Sequence, residues 1–332
     1  MSHSIFHKGR RKFMAQSAAA LCVTALPLHA RANAYPSRPI KFIVTVAAGG
    51  GTDLIARVAT DYLARTLGQP WVIENQGGAG GQIGTQSTAR AAPDGYNLML
   101  GYVSTHGTLP AFKNVPYDPI RDFTPIGMIG GAPNVLVCAA DNPQTSFAAF
   151  VAEAKKNPGQ FSYGSAGSGS ITHLVFEQLK LATGISVVHI PYRGIGPALN
   201  DILGHQIQYS MPGLAGAISQ IEAGKLRALA VTGPQRHRLL PDVPTLKELG
   251  IDNFEAVQWV GIMGPAGIPP AIVSQLNAAI LEMLAHPEFA EKLAGIGIDV
   301  MPMPTSEFSS YVAKDLTKWR SVVKEGNLKV ES

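Results

Sequence analysis

Ile40-Lys41-Phe42-Ile43-Val44-Thr45-Val46-Ala47-Ala48-Gly49-Gly50-Gly51-Thr52-Asp53 is the stretch from which the rest of the chain can be read. Residues 40–46 form a short, mostly apolar run rich in β-branched side chains, the mark of a buried strand. Three glycines follow. From Asp53 to about residue 67 apolar side chains recur at helical spacing, with Ile55, Val58, Ala59, Tyr62 and Leu63 on one face. Strand, glycine loop and helix in that order open an α/β unit.

The unit repeats outward from there. Strands are expected at 71–74 and 97–101, with a glycine-rich turn and a helix to residue 92 between them. A second series has strands at 134–138, 161–163, 186–190, 207–210 and 226–231, separated by helices at 147–156, 172–183, 196–203 and 217–223. Strands spaced by helices predict parallel sheets covered on both faces, and two series predict two doubly wound lobes. An apolar stretch at 256–263 ends at Gly264-Pro265-Ala266-Gly267. A helix at 269–284 then has its proline pair at the start, where a missing N–H does no harm, and a helix at 306–324 closes the chain. The expected lobes are residues 35–137 with 259–332, and residues 138–258. The chain would cross between them near 137–142 and again near 258–265, making a hinge.

Residues 1–34 read as an export signal. Lys8, Arg10, Arg11 and Lys12 precede an apolar stretch from Met14 to about Leu28, and Ala32-Asn33-Ala34 supplies the cleavage site. The stretch is short and broken by Pro27, so it makes a poor membrane span. Arg10-Arg11 followed by Phe13-Met14 fits a twin-arginine signal as well as an ordinary secretory one. Of 332 residues 46% are hydrophobic and 15% charged, which excludes a disordered chain and suffices for two cores. The net charge of +4 resides in the signal: without Lys8, Arg10, Arg11, Lys12 and Arg31, 22 basic side chains face 23 acidic ones. No basic cluster remains to neutralise phosphates or a lipid surface, which excludes nucleic acid and membrane-surface partners. Cys138 is the one cysteine beyond the signal and reads as a core thiol.

In open α/β sheets ligands bind beyond the carboxyl ends of the strands, where helices begin. The loop Ala48-Gly49-Gly50-Gly51-Thr52-Asp53 can turn amides towards an anion at a helix N-terminus, or can be a tight turn capped by Thr52 or Asp53. Ser104-Thr105-His106 after the third strand is a polar cluster at the cleft or a helix cap with a solvent-facing His. Ser165-Ala166-Gly167-Ser168 offers hydroxyls and free amides to a carboxylate. Tyr192-Arg193-Gly194 places a cation at a strand end, where Arg193 either pairs with an anion or is a surface side chain. Gly78-Ala79-Gly80-Gly81-Gln82-Ile83-Gly84 imitates a dinucleotide fingerprint but follows the second strand, and a tight turn accounts for it. The histidines His106, His173, His189, His205, His237 and His286 show no metal spacing, and no Ser-centred elbow is present. No metal, cofactor or catalytic residue is implied.

Seven motifs in order resemble one family across the mature length. They are Tyr35-Pro36-Ser37-Arg38-Pro39-Ile40, Gly49-Gly50-Gly51-Thr52-Asp53, Ala92-Pro93-Asp94-Gly95-Tyr96, Val115-Pro116-Tyr117-Asp118-Pro119, Tyr192-Arg193-Gly194, the segment from Ala223-Gly224-Lys225 to Val231-Thr232, and Leu240-Pro241-Asp242-Val243-Pro244-Thr245. Together they resemble the Bug-type periplasmic substrate-binding proteins of tripartite tricarboxylate transporters. The resemblance implies a type II periplasmic-binding-protein-like fold and a monomeric receptor that closes on a small carboxylate and delivers it to membrane permease subunits. Carried over, the ligand loops are Ala48–Asp53, Ser104–His106, Ser165–Ser168 and Tyr192–Gly194. Two departures stand out. Ala47-Ala48 replaces prolines, leaving a less stiff loop, and Pro212 takes the place of an acid that would suit a ligand amino group. A dianion facing Arg193 fits better, with Tyr192 or Tyr102 flanking a ring in an aromatic ligand such as terephthalate. The alternative is an exported α/β hydrolase of carboxylate esters, which a Ser–His pair within reach in the cleft would favour.

Overall fold

In the computed structural model residues 35–252, 254 and 256–328 are described, so the expected export signal at 1–34 lies outside the described residues. The chain opens with β1 (Ile40–Val44), α1 (Gly51–Leu67), β2 (Trp71–Asn75), α2 (Gln82–Ala89) and β3 (Asn97–Tyr102), then a wide turn at Ser104–Thr108 and the short α3 (Leu109–Phe112). Next, β4 (Phe123–Pro133) runs almost directly into β5 (Val135–Ala139). The middle of the chain holds α4 (Phe147–Lys156), β6 (Ser162–Ser165), α5 (Ile171–Thr183), β7 (Val188–Pro191), α6 (Ile195–Leu203), β8 (Tyr209–Ser210), α7 (Leu214–Glu222) and β9 (Leu226–Val231). It ends with β10 (Val257–Pro265), α8 (Pro270–Ala285), α9 (Pro287–Gly295), β11 (Asp299–Val300) and α10 (Thr305–Glu325).

Two sheets result, one per lobe. The first has the order β11-β4-β10-β3-β1-β2, the second β7-β6-β8-β5-β9. β1 pairs in parallel with β2 and β3, as the strand–helix alternation predicts. The sheets are mixed, however, and the expectation of purely parallel sheets is corrected at the strands that link the lobes. β10 runs antiparallel to β3 and β4, and β5 runs antiparallel to β8 and β9, because each is a strand leaving or re-entering its lobe without an intervening helix. The passage to the second sheet lies at Asn134 and the return lies between Thr232 and Val257. Both points precede the expected 137–142 and 258–265, since β4 and β5 are nearly one continuous strand and β10 belongs wholly to the first sheet.

That junction is stapled by polar side chains. Asn134 Nδ2 donates to Met211 O (2.8 Å), Thr232 Oγ1 accepts from Asn134 N (2.9 Å), and Thr232 Oγ1 donates to Ala256 O (2.6 Å). Within the first lobe, α1 buries Ile55, Ala56, Ala59 and Leu63 against the sheet while Val58 and Tyr62 are half-buried. Trp259 on β10 is fully buried, and its Nε1 donates to Asp315 Oδ2 on α10 (2.8 Å), fixing the last helix to the sheet. Each such large apolar side chain contributes about 1.5–3 kcal/mol or more by leaving water.

Candidate functional site

The loop after β1 is built around Asp53. Ala48 and Gly49 are exposed, Gly50, Gly51 and Thr52 half-buried, and Asp53 only 2% exposed. Asp53 Oδ2 accepts from Gly49 N (2.9 Å) and Arg57 Nε (2.9 Å), and Oδ1 accepts from Arg57 Nη2 (3.2 Å) and Asn75 Nδ2 (2.8 Å). Burial by itself would raise the Asp53 carboxyl, but the bonds from Arg57, Asn75 and Gly49 outweigh it and hold the group below the ordinary carboxylate range. Neither Thr52 nor Asp53 is the helix cap: Gly50 occupies that position, without a side-chain bond. The first amides of α1 therefore keep no intrahelical acceptor.

The start of α1 lies against the second lobe at very short range. A Cβ on Gly51 would lie 3.0 Å from Ala215 C and 3.1 Å from Gly216 N, at the start of α7. Gly216 in turn approaches Ile195 at the start of α6. Three helix N-termini, each with a partial positive end, thus meet where the lobes meet. Ala215 and Gly216 were not anticipated from the sequence, although Gly213-Leu214-Ala215-Gly216 follows a strand just as the other loops do.

On the first lobe, Ser104 Oγ accepts from Ile171 N at the start of α5 (3.1 Å), joining the two lobes directly. Thr105 is buried; its Oγ1 donates to Tyr102 O (3.0 Å) and its carbonyl accepts from Tyr117 Oη (2.8 Å). His106, expected either at the cleft or facing solvent beside a helix cap, takes neither place. It is fully buried rather than solvent-facing, and it sits within the wide turn, edge-on to Phe123 at 4.6 Å. Burial pushes its pKa down to about 3, so it is a neutral core histidine and brings no charge to the cleft. Tyr102 is 6% exposed, with its hydroxyl pushed up to about 12 by burial.

The second lobe's loop departs from expectation in another way. Most of the amides read as free are satisfied locally: Ala166 N donates to Thr172 Oγ1 (2.8 Å), Gly167 N to Ser165 Oγ (3.1 Å), and Gly169 N to His173 Nδ1 (3.1 Å). Ser168 is half-exposed. Tyr192 N donates to Ser165 O (3.0 Å), so the two predicted loops of this lobe lie side by side. The Tyr192 hydroxyl donates to Asp201 (2.6 Å). Arg193 is exposed, with no acidic partner among the described residues, and Gly194 takes a φ of +126° ahead of α6. Pro212 is buried, and its carbonyl accepts from Val135 N (2.8 Å) at the junction of the sheets, so it offers apolar surface.

Ser165 Oγ and His189 Nε2 lie 2.7 Å apart, the distance of a nucleophile–base pair. The surroundings disqualify it. Ser165 is fully buried and its oxygen already accepts from Gly167 N. His189 stacks on Tyr163 (4.9 Å) and His173 (4.0 Å), and burial pushes its pKa down to about 3, too weak a base for such work. Glu177, the nearby acid, accepts from the Tyr163 hydroxyl and pairs with Lys180, each at 2.7 Å. The Ser165–His189 contact is a packing element. No helix among the described residues is long and apolar enough to cross a membrane.

A family described as "Tripartite tricarboxylate transporter family receptor" matches residues 55–328. The chain is similar to the protein BugT of Bordetella pertussis, 36% identical over 302 residues, covering 90% of this chain and 93% of BugT. It is similar in structure to an R. palustris protein with adipate (31% identity, TM-score 0.86, 89% and 99% of the two chains covered). A third similarity is to MatC from Rhodopseudomonas palustris with bound malate (32% identity, TM-score 0.82, 87% and 100% covered).

Proposed function

The chain belongs to the receptor family of tripartite tricarboxylate transporters, and from that premise we propose that it is a periplasmic receptor closing its two lobes on a small dicarboxylate for delivery to membrane permease subunits. It is a solute-binding protein and not an enzyme. The observation that carries the dicarboxylate reading is the convergence of α1, α6 and α7 N-termini beside an exposed, acid-free Arg193. Amides and helix dipoles suit one carboxylate, and a charge-assisted pair with Arg193 suits the other at roughly 1.5–3 kcal/mol. An amino-acid ligand is disfavoured: Asp53 already accepts from four donors and Pro212 supplies no charge. Adipate and malate in two similar structures support the same class. Of the two tyrosines that could flank a ring, Tyr102 is buried and Tyr192 half-buried, and the adipate and malate of the two similar structures weigh for an aliphatic chain over terephthalate.

A thermal-shift screen of adipate, malate, citrate, terephthalate, aspartate and glutamate tests this. A dicarboxylate at about 100 times its Kd stabilises the fold by roughly 2.7 kcal/mol. A shift confined to aspartate and glutamate, or none with any carboxylate, refutes the proposal.

A further inference from the structure

Asp53 poses an electrostatic problem for an anion receptor. Its carboxylate lies one hydrogen bond from the backbone of the exposed Gly49, in the first turn of α1, where it draws on the same positive helix end that a ligand carboxylate would use. Left bare, it would repel the ligand across a few ångströms of partly excluded water. The fold answers with a fork. Arg57, one turn on, reaches back with Nε and Nη2 onto both Asp53 oxygens, at 2.9 and 3.2 Å. Asn75 at the end of β2 completes the arrangement, donating to Asp53 Oδ1 (2.8 Å) and Val46 O (3.2 Å). The Asp53 side chain is 3% exposed and that of Arg57 51%, so the cation stands outside and the acid inside.

We propose that Arg57 is the positioning residue that makes this loop receptive to an anion, by cancelling the Asp53 charge and turning the carboxylate away from the cleft. The inference rests on the reading that the Gly50–Thr52 amides receive a ligand carboxylate, the Gly49 amide being held by Asp53. Arg57 itself touches no ligand. Around Asp53 the other groups are neutral donors or already paired. Gly49 and Asn75 donate as neutral groups, Lys41 and Glu74 on β1 and β2 pair with each other at 2.7 Å, and the facing Ala215-Gly216 turn carries no titratable side chain. On the outer side Arg57 shares a groove with His286 and with the pairs Asp61–Arg65 (2.7 Å) and Glu288–Lys292 (2.8 Å), so R57M is also measured with H286N to remove the imidazole.

The test measures Kd for adipate and for malate by calorimetry on the full mature chain at pH 8 and pH 5.5, each variant as a ratio to wild type at the same pH. R57M leaves Asp53 ionised at pH 8 and is expected to bind at least tenfold more weakly. At pH 5.5 the ratio should shrink, because with the cation gone burial drives the Asp53 carboxyl upward against fewer opposing bonds. Adding D53N to R57M should restore at least tenfold at pH 8. Should R57M fail to fold, R57Q removes the charge while keeping a donor, and is measured in the same way. Unchanged affinity in the folded variant at pH 8, a ratio that does not depend on pH, or no rescue by D53N each overturns the inference. Wild-type protein that binds neither these compounds nor any other carboxylate of the thermal-shift screen overturns the dicarboxylate reading, whereas wild-type binding that R57M leaves unchanged overturns the role of Arg57 alone.

Discussion

Adding one methyl group at Gly51 tests whether the contact between lobes governs affinity. Gly51 begins α1 and its conformation is accessible to alanine, so within its own lobe Gly51→Ala costs no strain and improves helix propensity. The obstacle is the other lobe. The new Cβ would lie 3.0 Å from Ala215 C, 3.1 Å from Gly216 N and 3.2 Å from Ala215 Cβ, and two of these are backbone atoms that cannot swing aside. Overpacking of this kind costs about 1–3 kcal/mol, and here it falls on the closed arrangement alone. At about 1.4 kcal/mol per factor of ten, the Kd should rise by about fivefold to 150-fold, mainly through faster dissociation. The melting temperature of the unliganded protein should stay level or rise slightly. Gly216→Ala is the matched control, because its Cβ would meet only Ile195 Cγ2 at 3.5 Å, an ordinary contact within the second lobe. Calorimetry and stopped-flow dissociation on the pair decide the matter. Equal affinities for Gly51→Ala and wild type, or an equal loss in both variants, would refute the reasoning.

Three further outcomes are expected. Arg193→Ala should weaken dicarboxylate binding by about tenfold or more, from the loss of a charge-assisted pair worth roughly 1.5–3 kcal/mol, while monocarboxylate binding changes little; calorimetry with adipate against hexanoate checks it. Ser104→Ala removes the acceptor that the first lobe offers to the Ile171 amide of the second, and an orphaned donor costs about 1–3 kcal/mol in the closed arrangement, read by calorimetry as weaker dicarboxylate binding. Burial holds His106 and His189 at about 3 and His173 at about 4, so they stay neutral in the fold while the unfolded chain protonates below about 6.5. Unfolded chains thus bind more protons, and the melting temperature should fall as pH drops from 6.5 to 5, above the carboxylate range. A flat calorimetric profile across that window would contradict it.

The elements legible in the sequence were those whose apolar pattern is uninterrupted. Helix 147–156 and strand 226–231 match their observed bounds, and most others differ by one to three residues. β4 was missed because Pro125, Gly127, Gly130, Gly131 and Pro133 punctuate it like a loop. Those glycines serve the close approach of neighbours instead, since a Cβ on Gly130 would strike the Asp299 carbonyl of β11. The loops of the candidate site were found by the strand-to-helix rule, but what their atoms do was not readable. That Ala166, Gly167 and Gly169 spend their amides on Thr172, Ser165 and His173 depends on a return bend set by the fold. Asn75 and Arg57 carry no motif of their own; they matter only because β2 and α1 bring them to Asp53.

The junction at Asn134 and Thr232 limits how such a receptor can yawn. Outgoing and returning strands are tied there to each other and to the segment before α7, so shear between the sheets would break several paired backbone groups together. What is left is rotation taken up by the torsions of a handful of residues. If the lobes close as proposed, jaws swinging about such a pin would translate the span of the ligand into an angle that a membrane partner could gauge from outside.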